Sequence, residues 1–223
     1  MRQFSIIDAE QRSAAWFAAR AGKVTASRAS DFLAKTKTGY STSRKNYLVQ
    51  LVAERLTGQP QDDGGYVSAA MLRGVELEPQ AFATYEATTG NMPFKVGFLA
   101  HNELPIGSSP DGVIGDFEGV LELKVPLPAT HLGYLKAGTL PADYLPQVSH
   151  HLLVSGAGYC DFMSYGPNFP DRLQVFLVRV NRADVDLAGY ESELRTFLAE
   201  VEREEQALRT ISNPIRLLKE MVA

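Results

Sequence analysis

Apolar residues recur every three to four positions in five stretches of this chain, which is the spacing of one buried helical face. The spacing predicts helical pieces between Trp16 and Leu33, broken near Gly22, and four longer helices. These run over Arg44 to Thr57, over Leu77 to Thr89, from near Asp143 to Gly156, and over Tyr190 to Leu208.

Start and stop signals bound these helices. Glycines, which readily adopt the positive φ that ends a helix, follow three of them: Gly58, Gly90 and Gly156. Pro79 and Pro146 are expected in the first turn of their helices, where no backbone N–H is needed. Thr25 or Ser27 is placed to cap the second of the two early helical pieces.

Five further stretches of seven to nine residues are apolar or alternate in polarity, which is typical of strands. They are Phe94 to Ala100, Ile106 to Ile114, Gly119 to Val125, Tyr159 to Tyr165 and Leu173 to Val180. The order helix, three strands, helix, strand indicates a mixed α/β fold. In it a central mixed sheet is flanked by helices, unlike a regularly alternating wound fold.

Composition limits the class of protein in three ways. The chain has 223 residues and is 45% apolar, which suits a single domain over residues 1–223. Its one cysteine, Cys160, excludes a disulfide framework and zinc-ribbon or iron-sulfur ligation within one chain, and fits a reducing cytoplasm. No apolar run approaches the roughly 18 residues of a membrane span, and the first residues lack a secretion signal. We therefore expect a cytoplasmic protein.

The formal net charge of −4 hides an uneven distribution of charge. Seven basic residues and a single acid, Asp31, lie between Arg20 and Lys45, whereas eight acids and two arginines lie between Asp184 and Glu205. Either cluster is explained as a solvated face. The basic segment also suits a polyanionic partner, so the acidic average does not exclude a nucleic acid.

The stretch SSPDGVIGDFEGVLELKVP, residues 108–126, carries two acids and a lysine in apolar surroundings. Side chains alternate faces along a strand, so Glu122 and Lys124 share a face, and a hairpin closed through residues 115–119 brings Asp111 alongside Glu122. Adjacent carboxylates repel unless a cation lies between them, and Mg²⁺ takes such ligands together with phosphate oxygens. With Lys124 holding a water or a phosphate charge, the arrangement predicts a site that cuts phosphodiesters.

The motif PDG followed by ELK is that of the PD-(D/E)xK nuclease superfamily, and the chain as a whole resembles the phage-lambda-type exonucleases of viral recombination. Three further blocks carry the resemblance, in the family's order: WFAARAGKVTAS from Trp16 to Ser27, RGVELE ending at Glu78, and YLPQV with Tyr144 and Gln147. The resemblance covers roughly Trp16 to Val180. It implies a restriction-endonuclease-like core whose catalytic part is about residues 74–180.

The resemblance also implies an activity. A toroidal homotrimer would thread duplex DNA and degrade one strand from 5′ to 3′, processively and without ATP, to mononucleotides and a 3′ single-stranded tail for strand annealing. Two Mg²⁺ ions per site are implied, and Mn²⁺ is able to substitute. The implied metal ligands are Asp111, Glu122, Glu78 and the backbone carbonyl of Leu123. Lys124 and Gln147 would orient the nucleophilic water.

By the same resemblance Arg20, Ser27 and Ser109 form a pocket for the 5′ phosphate of the strand being cut. An arginine can grip a phosphate through two hydrogen bonds, and hydroxyls can donate to the remaining oxygens. Further candidates for DNA contacts are Lys23, Arg28 and Tyr144. The implied partners are duplex DNA ends and a single-strand annealing recombinase, in a bacterial host cell that carries the phage or prophage.

Several of these residues have ordinary explanations as well. ExK alone is common on the solvated face of a sheet, although its combination with SPDG is far more specific. Glu78 is also explained as a favourable acid in the first turn of a helix. Gln147 and Tyr144 are also explained as ordinary first-turn residues, and Arg20 as a surface arginine.

Two other functions stay open on the sequence alone. One is an endonuclease of the same superfamily, although no extra element for reading bases is present. The other is a catalytically inactive clamp on DNA ends, against which the intact acids and lysine argue. His150 and His151 do not suit a zinc site, because neighbouring helical positions point about 100° apart. One of them is a candidate for lining a groove, and residues 35–45 receive no role.

Overall fold

The structure is a computed structural model and describes residues 2–37, 39–61 and 69–211. The helices in these ranges are α1 Ala14–Arg20, α2 Ala29–Leu33, α3 Thr42–Thr57, α4 Ala69–Thr89, α5 Pro128–Ala137, α6 Leu145–Ser155 and α7 Leu187–Arg209. The strands in the same ranges are β1 Phe4–Ile7, β2 Val24–Thr25, β3 Lys35–Thr36, β4 Gly39–Tyr40, β5 Phe98–His101, β6 Ile106–Ser108, β7 Gly112–Ile114, β8 Gly119–Lys124, β9 Tyr159–Tyr165 and β10 Val175–Asn181. Within these ranges no helix is long and apolar enough to cross a membrane. The predicted single domain, residues 1–223, extends beyond the described residues.

The strands form two mixed four-stranded sheets and a short hairpin of β3 and β4. One sheet has the order β1-β5-β6-β2, with β2 parallel to β6. The other has the order β10-β9-β8-β7, with β8 parallel to β9 and the outer pairs antiparallel. Helix α6 packs against strands of both sheets. The mixed α/β class is therefore confirmed, with the strands divided between two sheets that share a covering helix.

The predicted strand Ile106 to Ile114 is in fact two strands, because the chain crosses from one sheet to the other at residues 109–111. Pro110 lies in this break, where its missing N–H costs no ladder hydrogen bond. Beyond the break the N–H of Asp111 donates to the carbonyl of Leu121 at 2.9 Å. The crossover thus places Asp111 beside the middle of β8.

Two other strand predictions are too long at one end. Phe94 to Ala100 contains the start of β5 but only an isolated bridge at Phe94. Gly97 lies where the chain approaches a neighbouring backbone, since a β-carbon there would be 2.4 Å from the carbonyl oxygen of Ile7. At the far end of the second sheet, Asp171–Leu173 forms a 3-10 turn and β10 begins at Val175.

The long helices follow the predicted pattern. Helix α3 begins after Ser41, whose Oγ accepts from the N–H of Arg44 at 3.2 Å, and ends at Gly58 with a φ of 68°. Helix α4 departs from the prediction because it starts at Ala69 instead of Leu77, so Pro79 lies inside it. The residues before this proline are good helix formers and continue the helix through it.

The two early helical pieces, broken near Gly22, are confirmed as α1 and α2, but the residues just before α2 depart from the prediction. Val24 and Thr25 form β2, and the Thr25 side chain caps no helix. Burial of Val24 in a parallel pairing with Ile106 outweighs the local preference for helix. Strand β1 and helix α5 were not predicted, because FSII is only four residues long and PATHLGYLKA has no regular apolar face.

The acidic and basic clusters of the sequence meet in space. Helices α3 and α7 pack together, and ion pairs between the two clusters are Arg44–Glu200 and Lys35–Glu193. Arg44 is 3% exposed and also donates to the backbone carbonyl of Phe32. Part of the basic segment therefore neutralises acids of α7, and Arg44 is buried in doing so.

Candidate active site

Two carboxylates meet where β7 and β8 pair. Gly112 lies opposite Leu121 in the antiparallel register, so Asp111 and Glu122 are the next facing positions. The backbone N–H of Leu123 donates to Oδ2 of Asp111 at 2.6 Å and fixes that side chain against β8. Glu122 is 2% exposed, and Asp111 is half-buried in a cleft with a volume of about 660 Å³.

Three donors surround the Glu122 carboxylate. Its Oε1 accepts from Nζ of Lys124 and from Nε2 of Gln147, the latter at 2.7 Å. Its Oε2 accepts from Nε2 of His151 at 2.8 Å. Lys124 belongs to β8, as Glu122 does, whereas Gln147 and His151 lie one turn apart on α6. The strand and the helix together hold Glu122 in one orientation.

The charged groups set one another's protonation. Burial and the neighbouring charge of Glu122 raise the pKa of Asp111 above its ordinary value. Burial acts to raise the pKa of Glu122 too, but the Lys124 ammonium and the hydrogen bond from His151 outweigh it and lower that pKa. Burial acts to lower the pKa of Lys124, but the two carboxylates raise it further. Lys124 is thus a cationic donor to Glu122 in this arrangement.

The oxygen ligands of this cleft suit a hard divalent cation. Repulsion between Asp111 and Glu122 contributes to the raised pKa of Asp111. A cation bound between the two carboxylates would offset this repulsion. Leu123 lines the same cleft. Among the described residues no group of three His, Cys, Asp or Glu side chains forms a complete metal cage. Two carboxylates with room for water and phosphate match the usual way in which Mg²⁺ is held.

Glu78, the third predicted acid, lines the same cleft but is held by two cations. Its Oε2 accepts from Nη2 of Arg12 at 2.8 Å, and its Oε1 from Nζ of Lys95 at 2.7 Å. Burial acts to raise the pKa of Glu78, but these partners lower it below its ordinary value. Glu78 lies well inside α4, so the explanation by a favourable first turn is wrong.

Arg20, Ser27 and Ser109 line a smaller pocket beside the carboxylates, with a volume of about 170 Å³. Nη2 of Arg20 donates to Oγ of Ser27 at 3.2 Å, and its Cζ lies 4.0 Å from the centroid of the Trp16 ring. Nε1 of Trp16 donates to Oγ of Ser109 at 2.9 Å. Burial lowers the pKa of Arg20 to about 10, which leaves it charged at neutral pH. The structure thus brings the three predicted residues together around an indole.

The three candidates for DNA contacts lie in different surroundings. Tyr144 lines the cleft, with its ring centroid 5.2 Å from Nζ of Lys124. Lys23 donates to a backbone carbonyl of α1 at 3.0 Å, and Arg28 pairs with Asp31. Neither Lys23 nor Arg28 is among the described residues that line the cleft or the pocket. Only Tyr144 is therefore adjacent to the carboxylates.

His151 also lines the pocket of Arg20, so the candidate role of lining a groove applies to this histidine. Its ring is 1% exposed, with Nε2 on Glu122 and Nδ1 2.6 Å from Oγ of Ser108. Because a carboxylate only accepts, Nε2 carries a proton, and a neutral ring then accepts at Nδ1 from the hydroxyl of Ser108. The available signal was spacing, since His151 follows Gln147 by four residues and shares its helix face.

His150 points away from the site. Its Nδ1 lies 2.7 Å from the hydroxyl of Tyr190, and its Nε2 lies 3.1 Å from the carbonyl oxygen of Gly107. Burial, together with the neighbouring His151, lowers the pKa of His150 to about 3. His150 is therefore a neutral core residue that ties α6 to α7 and β6.

The family model of the YqaJ-like viral recombinase domain matches residues 15–158 of the chain. Among solved structures, the chain is similar to an alkaline exonuclease from Laribacter hongkongensis, LHK-Exo, with a TM-score of 0.77 and 42% identity. This match covers 87% of the chain and 95% of LHK-Exo. A structure of LHK-Exo in complex with dAMP matches to the same degree.

A phage-related exonuclease from Haemophilus somnus 129PT matches with a TM-score of 0.62 and 16% identity, over 85% of the chain and 96% of that protein. At this identity the match shows the fold alone. No curated protein sequence matches the chain. The matches confirm the resemblance drawn from the four sequence blocks, and with it the PD-(D/E)xK-like core.

Proposed function

Since the chain belongs to the family of YqaJ-like viral recombinase domains, and is thus a phage-type nuclease that acts on DNA, we propose that it degrades one strand of linear duplex DNA from the 5′ end. The reaction is processive, needs a divalent cation but no ATP, and leaves a 3′ single-stranded tail. Mononucleotides are its products.

One observation carries the proposal. The pocket of Arg20, Ser27 and Ser109 opens directly beside Glu122 and Lys124, which line it as well. A charged guanidinium with two hydroxyls is a good receptor for a phosphate, and a small pocket suits the phosphate at the end of a strand. A terminal phosphate held there would set the first internucleotide linkage against the carboxylates, which favours cutting from ends.

Different side chains of the protein have different roles in the hydrolysis. Lys124 is an ammonium and donates to the attacking water or to a phosphate oxygen, and the Gln147 amide fixes the direction of that water. Hydrolysis joins the water oxygen to phosphorus and breaks the bond to the 3′ oxygen, which leaves with a proton. Tyr144, at the wall of the cleft, is placed to contact the sugar-phosphate backbone.

The divalent cation belongs between the acids. Asp111, Glu122, the carbonyl of Leu123 and, after release from its two partners, Glu78 would hold two Mg²⁺ ions, with Mn²⁺ able to substitute. When bound, such ions lower the pKa of a coordinated water and stabilise the charge on the phosphate.

Three further parts of the proposal come from relatives. LHK-Exo has been solved with dAMP, a mononucleotide, which supports mononucleotides as products here. The resemblance to the phage-lambda-type exonucleases supports a toroidal homotrimer, which explains processivity because duplex DNA cannot leave a closed ring. It also supports action beside a single-strand annealing recombinase in the cytoplasm of a bacterial host.

The test uses the purified protein and linear duplex DNA labelled at either the 5′ or the 3′ terminus, with a closed circular duplex as the control. Early release of 5′ label as mononucleotide, dependent on Mg²⁺ and absent on the circle, supports the proposal. Cutting of the circle would instead identify an endonuclease. Binding to DNA ends without any cutting would instead identify a catalytically inactive clamp.

A further inference from the structure

Arg12 has an unusual backbone. Its φ is 72°, in the left-handed region that only a few per cent of residues other than glycine adopt. The strain lies in the turn just before α1, where Ser13 caps the helix by accepting from the N–H of Trp16. Backbone strain of this kind is concentrated at functional sites. A glycine at this position would form the same turn without strain. The presence of an arginine there therefore suggests that its side chain has a function.

The location of Arg12 supplies one. Arg12 lines the cleft that holds Glu78 and Asp111, and it also lines the pocket that holds Arg20. It therefore lies at the passage where the cleft and the pocket meet, beside Asp111, which lines both as well. A strand that runs from one to the other carries its backbone phosphates past this guanidinium.

Glu78 balances only part of the positive charge at this passage. One carboxylate there faces two cations, Arg12 and Lys95, whose side chains are both about half exposed. The Glu78 side chain is only 15% exposed, but the exposed sides of both cations are accessible to a second anion. The surplus positive charge in front of the cleft favours a polyanion.

From the strained turn, the position between the cavities and the surplus charge, we propose that Arg12 and Lys95 bind backbone phosphates of the DNA substrate and that Glu78 is their counterion in its absence. DNA displaces Glu78 from the two cations, and the freed carboxylate turns toward Asp111 and Glu122. Substrate binding thereby completes the acidic cluster. This inference rests on the proposed function, which supplies the DNA.

The experiment measures binding of fluorescent, 5′-phosphorylated duplex DNA in EDTA, so that no strand is cut. R12G should weaken binding about tenfold, because a charge-assisted hydrogen bond is lost. It should also lower the slope of log affinity against log salt by about 1. Its melting temperature should not fall, because glycine relieves the strain at a φ of 72°. K95A should act in the same direction as R12G.

The matched control is R195A. Arg195 has a side chain 55% exposed against 50% for Arg12, and it likewise pairs with one glutamate, but it belongs to α7 and lies outside both cavities. E78Q should tighten binding in EDTA, because it frees both cations, and R12G combined with E78Q should lose the part of that gain that Arg12 supplies.

Two results would overturn the inference: binding by R12G as tight as by R195A, or no tightening by E78Q. If either result is obtained while the wild-type protein binds and cuts DNA, the role proposed for Arg12 is excluded and the proposed function is unaffected. A wild-type protein that neither binds nor cuts DNA would instead overturn the proposed function, and this inference with it.

Discussion

His151 donates its Nε2–H to Oε2 of Glu122 at 2.8 Å, on the side of the carboxylate away from Lys124 and Gln147. Ser108 Oγ lies 2.6 Å from the other ring nitrogen and holds the ring in the orientation that makes this donation. Ligands of metal ions are commonly oriented by such outer contacts. Glu122 thus depends on two elements, the strand that carries it and the helix behind it.

Replacing His151 should loosen Glu122 without removing it. We expect H151L to lower cleavage and the affinity for Mn²⁺ by about tenfold or more, which is the usual effect of losing an outer contact. Calorimetric titration with Mn²⁺ alone separates this effect from substrate binding. H151Q, whose amide can still donate to Glu122, should recover much of the loss. Equal metal affinity in H151L and the wild type would show that the contact only supports packing.

The acids themselves should be indispensable for cutting but not for binding. D111A and E122A should abolish cleavage, because each removes an oxygen ligand from a site that has two adjacent carboxylates. Their affinity for DNA in EDTA should be kept or improved, since a negative charge is lost beside the phosphates. D116A is the control, an exposed acid of the same hairpin. Near-normal cutting by either variant would refute the assignment of the site.

Replacing Arg20 should affect the recognition of DNA ends more than the rate of hydrolysis itself. R20A should lower processivity and remove the preference for 5′-phosphorylated over 5′-hydroxyl ends, because the guanidinium is the charged group of the pocket. R195A is the matched control, an arginine of α7 that pairs with Glu191 and lies outside the two cavities. Cleavage of both kinds of end at several lengths measures the preference. An equal loss on both ends would exclude a phosphate pocket.

The centre of the site follows from local sequence. Alternation of side chains along β8 gives Glu122 and Lys124 one face, and a hairpin turn of a few residues gives Asp111 its place. Both rules act over fewer than about ten residues, so the pattern contains them. The break at Pro110 is local too, and the turn-forming residues SSPDG signal it, although the prediction ran one strand through them.

The surroundings of the site depend on distant pairings. Glu78 meets Arg12 across 66 positions of the chain, and Arg44 meets Glu200 across 156. No periodicity records such contacts, so the basic cluster looked like a free surface while α7 neutralises part of it. His151 lies between these two cases. Helical spacing relates it to Gln147, so that relation is predictable, but only tertiary packing brings α6 to β8.

Arg44 and Glu200 provide a test of stability that leaves the site untouched. E200A should lower the free energy of unfolding by about 3–5 kcal/mol, because it leaves a buried guanidinium without its partner. E193A removes the partner of the exposed Lys35 and should have a much smaller effect, because exposed ion pairs are weak. Urea unfolding of both variants measures the difference. Equal and small effects would show that the buried pair is hydrated.

His150 should make the protein sensitive to mild acid. Its pKa in the folded protein is lowered to about 3 by burial and by its neighbour His151, whereas an exposed histidine titrates near 6.5. Above about pH 6.5 neither state binds the proton, so His150 contributes no pH dependence there. As the pH falls from about 6.5 toward about 3, the unfolded chain takes up a proton that the folded protein refuses. The free energy of unfolding should therefore fall by about 1.4 kcal/mol per pH unit from this group.

The variant H150Q isolates that contribution, because glutamine keeps a donor for the carbonyl of Gly107 but does not titrate. H150Q should be less stable than the wild type near neutral pH, since its side chain replaces a ring that contacts both Tyr190 and Gly107. Its stability should then decline less steeply than that of the wild type between about pH 6.5 and about pH 5, measured by urea unfolding. Parallel declines in the two proteins would mean that His150 is protonated in the folded state, which would require the ring to reach water.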